Sequence, residues 1–244
     1  MELEGKTALI TGAGAVGGIG EATARLFVQQ GAEVIVTGRD AAAGAAAVDA
    51  LAADGKVRFV PADLTDLHEV RHLAEEAGEV DILVNNAATF TVGPSVALEP
   101  AAYEAVFDTN VRAPFFLTAA LVGSMLSRGN GSIVNVSTMA ARIGMPGMAV
   151  YGASKAALEA LTRTWAAEFA PAGVRVNAVA AGPTRSAKVV SVMGDGAEQM
   201  SHGVPLARLA TTTEIAETIL FLASNRASYL TGAILAADGG RTAV

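Results

Sequence analysis

No cysteine occurs among the 244 residues, which excludes disulfides, thiolate metal sites and cysteine nucleophiles. Histidine is nearly as scarce, with three in the chain and none beside a serine in a nucleophile elbow, so a hydrolase triad has no support. His68 and His72 stand four apart with no further ligand arranged around them; a solvated helix face accounts for both, and no metal site is expected. Charge is sparse as well. Only 17% of residues are charged, the net charge is −7 and no basic run appears, which sets aside nucleic acid and anionic membranes as partners. No apolar run approaches the ~18 residues of a membrane span. The first strand candidate begins within the opening ten residues, leaving no room for a signal peptide, and a cytoplasmic location follows as the expectation.

What the chain has in excess is apolar side chains, 52% of the total. Such a composition suggests that part of the surface is covered by partner subunits, so a homo-oligomer, dimer or tetramer, is expected. The length fits one α/β domain spanning residues 1–244.

Short runs rich in Val, Ile and Leu alternate with longer Ala-rich segments of helical period. The runs are Thr7 to Ile10, Glu33 to Thr37, Arg58 to Val60, Ile82 to Val84, Ser132 to Val136, Arg175 to Val179 and Ala233 to Ala236. Strands apolar on both faces and separated by helix-length segments predict a doubly wound α/β fold, a seven-stranded parallel sheet with helices on both faces. Helices are predicted from about Gly20 to Gln30, Ala41 to Ala52, Asp66 to Gly78, Ala101 to Arg128, Val150 to Ala170 and Thr213 to Ala223. One segment departs from this rhythm. Residues 182–209 carry several glycines and prolines around an apolar patch, Val189, Val190, Val192 and Met193, as expected of a substrate-covering excursion; His202 falls here too.

The first strand runs into Thr11-Gly-Ala-Gly-Ala-Val-Gly-Gly-Ile-Gly20, and a helix follows directly. Glycines let the backbone turn tightly and approach a pyrophosphate, whose charge then sits on the free amides of the helix N-terminus. The acidic residue expected on an adenosine ribose is missing from Val36-Thr37-Gly38-Arg39. Arg39 would meet a 2′-phosphate with no carboxylate to repel it, which favours NADP(H), with NAD(H) as the alternative.

Tyr151-Gly-Ala-Ser-Lys155 places a phenol and an ammonium four residues apart at the start of an apolar-periodic helix. Residues at this spacing share a helix face with Cβ atoms ~5–6 Å apart, so the lysine charge is expected to favour tyrosinate. Spacing of this kind arises by chance on many helices, and its weight comes from its company.

That company resembles the classical short-chain dehydrogenase/reductase family over essentially the whole chain. The family's glycine loop, the aspartate ending its third strand, its N-N-A-G stretch, its helical asparagine, its serine and its Y-x-x-x-K occur here in order. The corresponding residues are Thr11, Gly12, Gly18 and Gly20; Asp63; Asn85-Asn86-Ala87-Ala88; Asn110; Ser137-Thr138; and Tyr151 with Lys155. The resemblance implies a Rossmann-type fold and hydride transfer between NADP(H) and a carbonyl or secondary alcohol, the substrate being a small molecule of 3-oxoacyl or related type. It implies that Tyr151 transfers the proton, Lys155 lowers its pKa and holds the ribose, Thr138 orients the carbonyl, and Asn110 holds a water linked to Lys155. Cofactor contacts are implied for Gly12, Gly14, Gly18, Ile19 and Gly20 of the loop, for Arg39, Asp63 and Leu64, and for Asn86, Ala87, Tyr151 and Lys155. Gly182, Thr184 and Ser186 match the stretch that holds the nicotinamide carboxamide, and either hydroxyl would serve.

Three departures stand out. Gly12 and Gly18 are separated by five residues rather than three, which lengthens the loop. Position 88 is alanine where glycine is usual. The family serine lies 13 residues before the tyrosine, and here that position is Thr138, with Ser137 one residue too early. A one-residue shift on a strand reverses side-chain direction, so Ser137 is expected to pack or to bond locally. Met139, Met145 and Met148 flank this strand as core filler or pocket wall. The competing reading, a cofactor-binding regulator on the same fold, would be expected to lack the tyrosine or the lysine.

Overall fold

In the computed structural model, which describes residues 1–244 with the exception of the side chain at position 195, seven strands form one parallel sheet. They are β1 (Thr7–Thr11), β2 (Glu33–Gly38), β3 (Val57–Pro61), β4 (Ile82–Asn85), β5 (Gly131–Thr138), β6 (Val174–Ala181) and, last in the chain, Ile234–Ala237, numbered β9 because two short strands precede it. Their spatial order is β3-β2-β1-β4-β5-β6-β9, so the chain winds outward from β1, crosses back and continues on the other side. Ile10 lies beside Val36 on one flank and Val84 on the other. The gap between β1 and β4 is where the winding reverses, and in such sheets the crevice at the carboxyl ends of the strands takes the ligand.

Alternation along each strand explains the two apolar layers. Ala8, Ile10, Val34, Val36, Ile82, Val84 and Val134 point to one face and pack with α1 (Ile19–Gln29) and α8 (Thr212–Ala223) through Phe27, Ile215 and Ile219. Leu9, Ile35, Leu83 and Ile133 point to the other. There they meet α3 (Leu67–Ala77), α5 (Ala113–Arg128) and α6 (Ala149–Phe169) through Leu73, Leu117 and Trp165. Full burial of one such side chain contributes on the order of 1.5–3 kcal/mol. Helix α2 (Ala41–Leu51), capped by the Asp40 carboxylate on the amides of Ala42 and Ala43, completes the outer turn of the winding.

The helix expected over Ala101–Arg128 is broken. Helix α4 (Pro100–Phe107) passes through a π turn, Asp108–Arg112, before α5 resumes. Pro114 supplies the cause: it has no N–H to give the carbonyl four residues back, that of Asn110, and its ring crowds that carbonyl, so the helix widens by one residue at this point. Asn110, within this turn, is fully buried.

The excursion folds as β7 (Thr184–Arg185), α7 (Ala187–Met193) and a 3-10 segment, Gly194–Ser201, before β8 (Ala210–Thr211). Strands β7 and β8 pair in parallel, Thr184 with Ala210 and Arg185 with Thr211, which ties the two ends of the excursion together. No helix among the described residues is long and apolar enough to cross a membrane.

Candidate active site

The carboxyl end of β5 and the first turns of α6 bring the predicted reacting groups together. Lys155 is 1% exposed, and its ammonium donates to the Val136 carbonyl at 2.7 Å. Burial lowers its pKa from 10.5 to about 8. Tyr151, one turn earlier, is partly buried, and burial pushes its phenol up while a hydrogen bond with Thr138 pulls it back. The expectation that Lys155 would draw the phenol down is therefore corrected: in the protein alone, desolvation dominates and Thr138 opposes it. Thr138 also caps the turn Met139–Ala141 by accepting from the Ala140 amide at 3.3 Å. Ser137 faces the helix layer, where its hydroxyl donates to Glu159 Oε1 at 2.8 Å.

Asn110 lies buried within the π turn. Its side chain clamps the backbone of Thr89, accepting from the amide at 2.9 Å and donating to the carbonyl at 2.8 Å, and it donates to Ser154 Oγ at 3.0 Å. Ser154 donates in turn to the Tyr151 carbonyl at 2.7 Å. Asn110 thereby connects the segment after β4 to the start of α6. Neither Thr89 nor Ser154 was among the predicted site residues; the only sequence signal for Ser154 is its place inside the Tyr151–Lys155 motif. Phe90 had no signal at all, yet its ring stands edge-on to Tyr151 with centroids 6.0 Å apart, and Lys188 Nζ of α7 lies 4.8 Å from the Phe90 centroid.

The glycine loop makes a cradle along the β1–β4 crevice. Gly18 precedes α1 with no side-chain cap, and a Cβ there would have nothing nearer than 3.8 Å, so the first amides of the helix face open space. Gly12 has φ +68°, and a Cβ on it would lie 2.7 Å from the Cα of Ala87. A Cβ on Gly20 would lie 2.5 Å from Asn86 Nδ2 and 2.7 Å from the Gly12 carbonyl, so backbone packs where a side chain would. Ile19 opens α1 within this cradle. Gly14 is buried on the β2 side of the loop, where a Cβ would lie 2.9 Å from the Phe59 ring and 3.4 Å from the Gly38 Cα. Asn86 and Ala87 close the base of the loop: both amides donate to Thr11 Oγ1 at 3.0 Å, and Asn86 Nδ2 donates to the Thr11 carbonyl at 2.8 Å.

Arg39 is exposed beyond β2, as a phosphate-binding guanidinium should be. The absence of a neighbouring carboxylate is not upheld: Arg39 is close enough to help hold the Asp63 carboxyl down, behind the larger effect of its hydrogen bonds from the Thr65 amide and hydroxyl. Leu64 packs in the second apolar layer. Gly182 sits where a Cβ would strike the Cα of Asp238 at 2.5 Å. The two hydroxyls expected near the nicotinamide have local partners, Thr184 donating to the Gly182 carbonyl at 3.0 Å and Ser186 capping α7 through the Val189 amide at 3.3 Å. The excursion touches the glycine loop directly, the Ala187 amide donating to the Gly17 carbonyl at 2.9 Å.

With a buried lysine one turn beyond a tyrosine, a hydroxyl facing that tyrosine, and a glycine cradle over the reversal of the sheet, the chain matches, over residues 12–242, the family model described as enoyl-(acyl carrier protein) reductase. The chain belongs to the classical short-chain dehydrogenases/reductases. It is 38% identical to the 3-oxoacyl-[acyl-carrier-protein] reductase FabG of Thermotoga maritima, over 98% of this chain and 99% of that protein. A solved structure described as a short chain dehydrogenase/reductase family protein is 52% identical, covers all of both chains and superposes with a TM-score of 0.94. Another, from Agrobacterium tumefaciens with bound NADP and described as a 2-deoxy-D-gluconate 3-dehydrogenase, is 32% identical with a TM-score of 0.92, over 100% of this chain and 98% of that one. As a short-chain dehydrogenase/reductase the protein is an oxidoreductase of alcohol and ketone substrates that uses NAD(P). The cradle fits that cofactor: the open amides after Gly18 suit a pyrophosphate, and the close backbone packing at Gly12 and Gly20 leaves the crevice free of side chains.

Proposed function

We propose that the protein interconverts a ketone and a secondary alcohol with NADP(H), Tyr151 acting as proton donor in reduction and acceptor in oxidation. The observation that carries this reading is the facing pair of hydroxyls, Tyr151 and Thr138, above the buried Lys155. A bound nicotinamide supplies or accepts the hydride. When the carbonyl carbon gains it, the π pair moves to oxygen, and the Tyr151 O–H bond breaks to deliver its proton there. Thr138 donates to the same oxygen and orients it. Burial raises the phenol above its ordinary value of 10, so Tyr151 carries its proton at neutral pH, as the reductive direction requires. With a pKa of about 8, Lys155 stays mostly charged at pH 7 and would hold the ribose hydroxyls.

The exposed guanidinium of Arg39 supports NADP(H) over NAD(H), and the NADP-bound relative agrees with it. The Phe90 ring edge-on to Tyr151, together with the likeness to a 3-oxoacyl reductase, supports a 3-oxoacyl-type ketone. Phe115 and Phe116, 41% and 38% exposed on α5 beside Trp165, support a homo-oligomer, a dimer or a tetramer, which sedimentation would read directly.

The test is NADPH oxidation with ethyl 3-oxobutanoate, cyclohexanone and a 3-oxoacyl thioester. Turnover with at least one, abolished in Tyr151→Phe while NADPH binding is kept, is the expected result. Wild-type rates in that variant would overturn the proton-donor role. Equal affinity of the native protein for NADH and NADPH would overturn the coenzyme preference.

A further inference from the structure

Beneath Thr138 lies a buried carboxylate that proton transfer does not use. Glu159 stands one turn beyond Lys155 on α6, as Lys155 stands one turn beyond Tyr151, and it is 7% exposed. One oxygen accepts from Ser137 Oγ at 2.8 Å; the other is 3.7 Å from Arg142 Nε. Arg142 is itself anchored, donating to the Ile234 carbonyl of β9 at 2.9 Å. Three consecutive residues of β5 therefore meet one face of α6: the Val136 carbonyl with Lys155, the Ser137 hydroxyl with Glu159, and Thr138 with Tyr151. Strand and helix are locked in register by polar contacts at the place where the reacting groups must align.

Stability alone does not account for a carboxylate here. Burying an ionised group costs several kcal/mol, and an apolar residue of similar volume is often neutral or better. What the carboxylate adds is direction: it pulls Ser137 toward the helix, which fixes the twist of the strand end and hence the aim of the next residue.

We infer that Glu159 is a positioning residue for the reaction, gripping Ser137 so that Thr138 and the Val136 carbonyl meet Tyr151 and Lys155 in register.

The inference rests on the proton-transfer role of Tyr151. It is tested with ethyl 3-oxobutanoate and NADPH in E159L, E159Q and S137A. The control, T162V, removes the 2.8 Å bond from Asn135 Nδ2 to Thr162 Oγ1 between the same strand and helix, away from the reacting groups. Expected for E159L is a kcat about tenfold lower, well within the ~10²-fold that a 1 Å misplacement can cause, with NADPH affinity and substrate KM within twofold of native. E159Q, whose amide oxygen still accepts from Ser137, stays within twofold of native kcat. S137A reproduces E159L, and the double variant falls no further than either single one. T162V loses melting temperature and keeps kcat. Native kcat in E159L, or kcat losses that follow melting temperature alike in E159L and T162V, would overturn the inference. If E159L does not fold, S137A decides: native kcat there has the same force. Loss in E159L beside full activity in Tyr151→Phe would instead break the proton-donor reading on which it rests.

Discussion

The Lys155 ammonium and the Val136 carbonyl, 2.7 Å apart, join the centre of the site to the middle of the sheet rather than to its rim. The lysine stem runs through the interior and its charge is held by one backbone oxygen. That arrangement keeps the amine in place and also makes it expensive to charge.

The cost has a pH signature. Lys155 titrates at about 8 in the fold against 10.5 in its unperturbed state. Below pH 8 the fold carries the whole penalty of the buried cation, on the order of 3 kcal/mol; between about 8 and 10.5 the penalty disappears as the folded amine loses its proton first. Urea denaturation of native protein and Lys155→Met should show the difference in stability changing in favour of the native lysine across that window and level below it. A difference that stays constant from pH 7 to 11 would contradict the burial of the amine.

Thr138 lowers the Tyr151 pKa against the burial that raises it. In Thr138→Val the rising limb of alcohol oxidation against pH should therefore move to higher pH, with kcat for ketone reduction lower by about a hundredfold. Thr138→Ser restores a hydroxyl and should return both to near native values. An unmoved limb in the valine variant would detach Thr138 from the phenol.

Asn110 satisfies both backbone groups of Thr89. Asn110→Leu strands a donor and an acceptor, which should lower stability by about 2–4 kcal/mol in urea titrations. A loss under 1 kcal/mol would mean that the Thr89 backbone finds other partners.

Gly12 and Gly5 have nearly the same conformation, φ +68° and +69°, in different surroundings: a Cβ on Gly12 meets Ala87 at 2.7 Å, while one on Gly5 meets nothing within 4 Å. Gly5→Ala should lose about 1 kcal/mol of stability from backbone strain and keep NADPH affinity. Gly12→Ala should lose more and bind NADPH at least tenfold more weakly by fluorescence titration. Equal behaviour of the two variants would show that the approach of Ala87 to the loop is dispensable.

The sheet was legible because Val, Ile and Leu runs at both-face burial have few other readings; the run from Thr7 to Ile10 needed one more residue at its carboxyl end, and that from Ser132 to Val136 one residue before it and two after. The departures share a cause, contacts between segments that periodicity does not connect. Arg39 and Asp63 become neighbours only because β2 and β3 pair side by side, Gly38 against Pro61. The direction of the Tyr151 shift depends on how deeply α6 is covered, not on its spacing from Lys155. The contact of Thr138 rather than Ser137 with Tyr151, by contrast, was visible from the 13-residue spacing.

Pro114 touches none of the reacting groups, yet the inward aim of Asn110 traces to a hydrogen atom that this proline does not carry. Transplanting the four polar side chains onto another parallel sheet would therefore leave out a part of the device. A regular helix turns ~100° per residue, and straightening this one would swing Asn110 off Thr89. The recipe for the site includes an imino acid whose contribution is an omission.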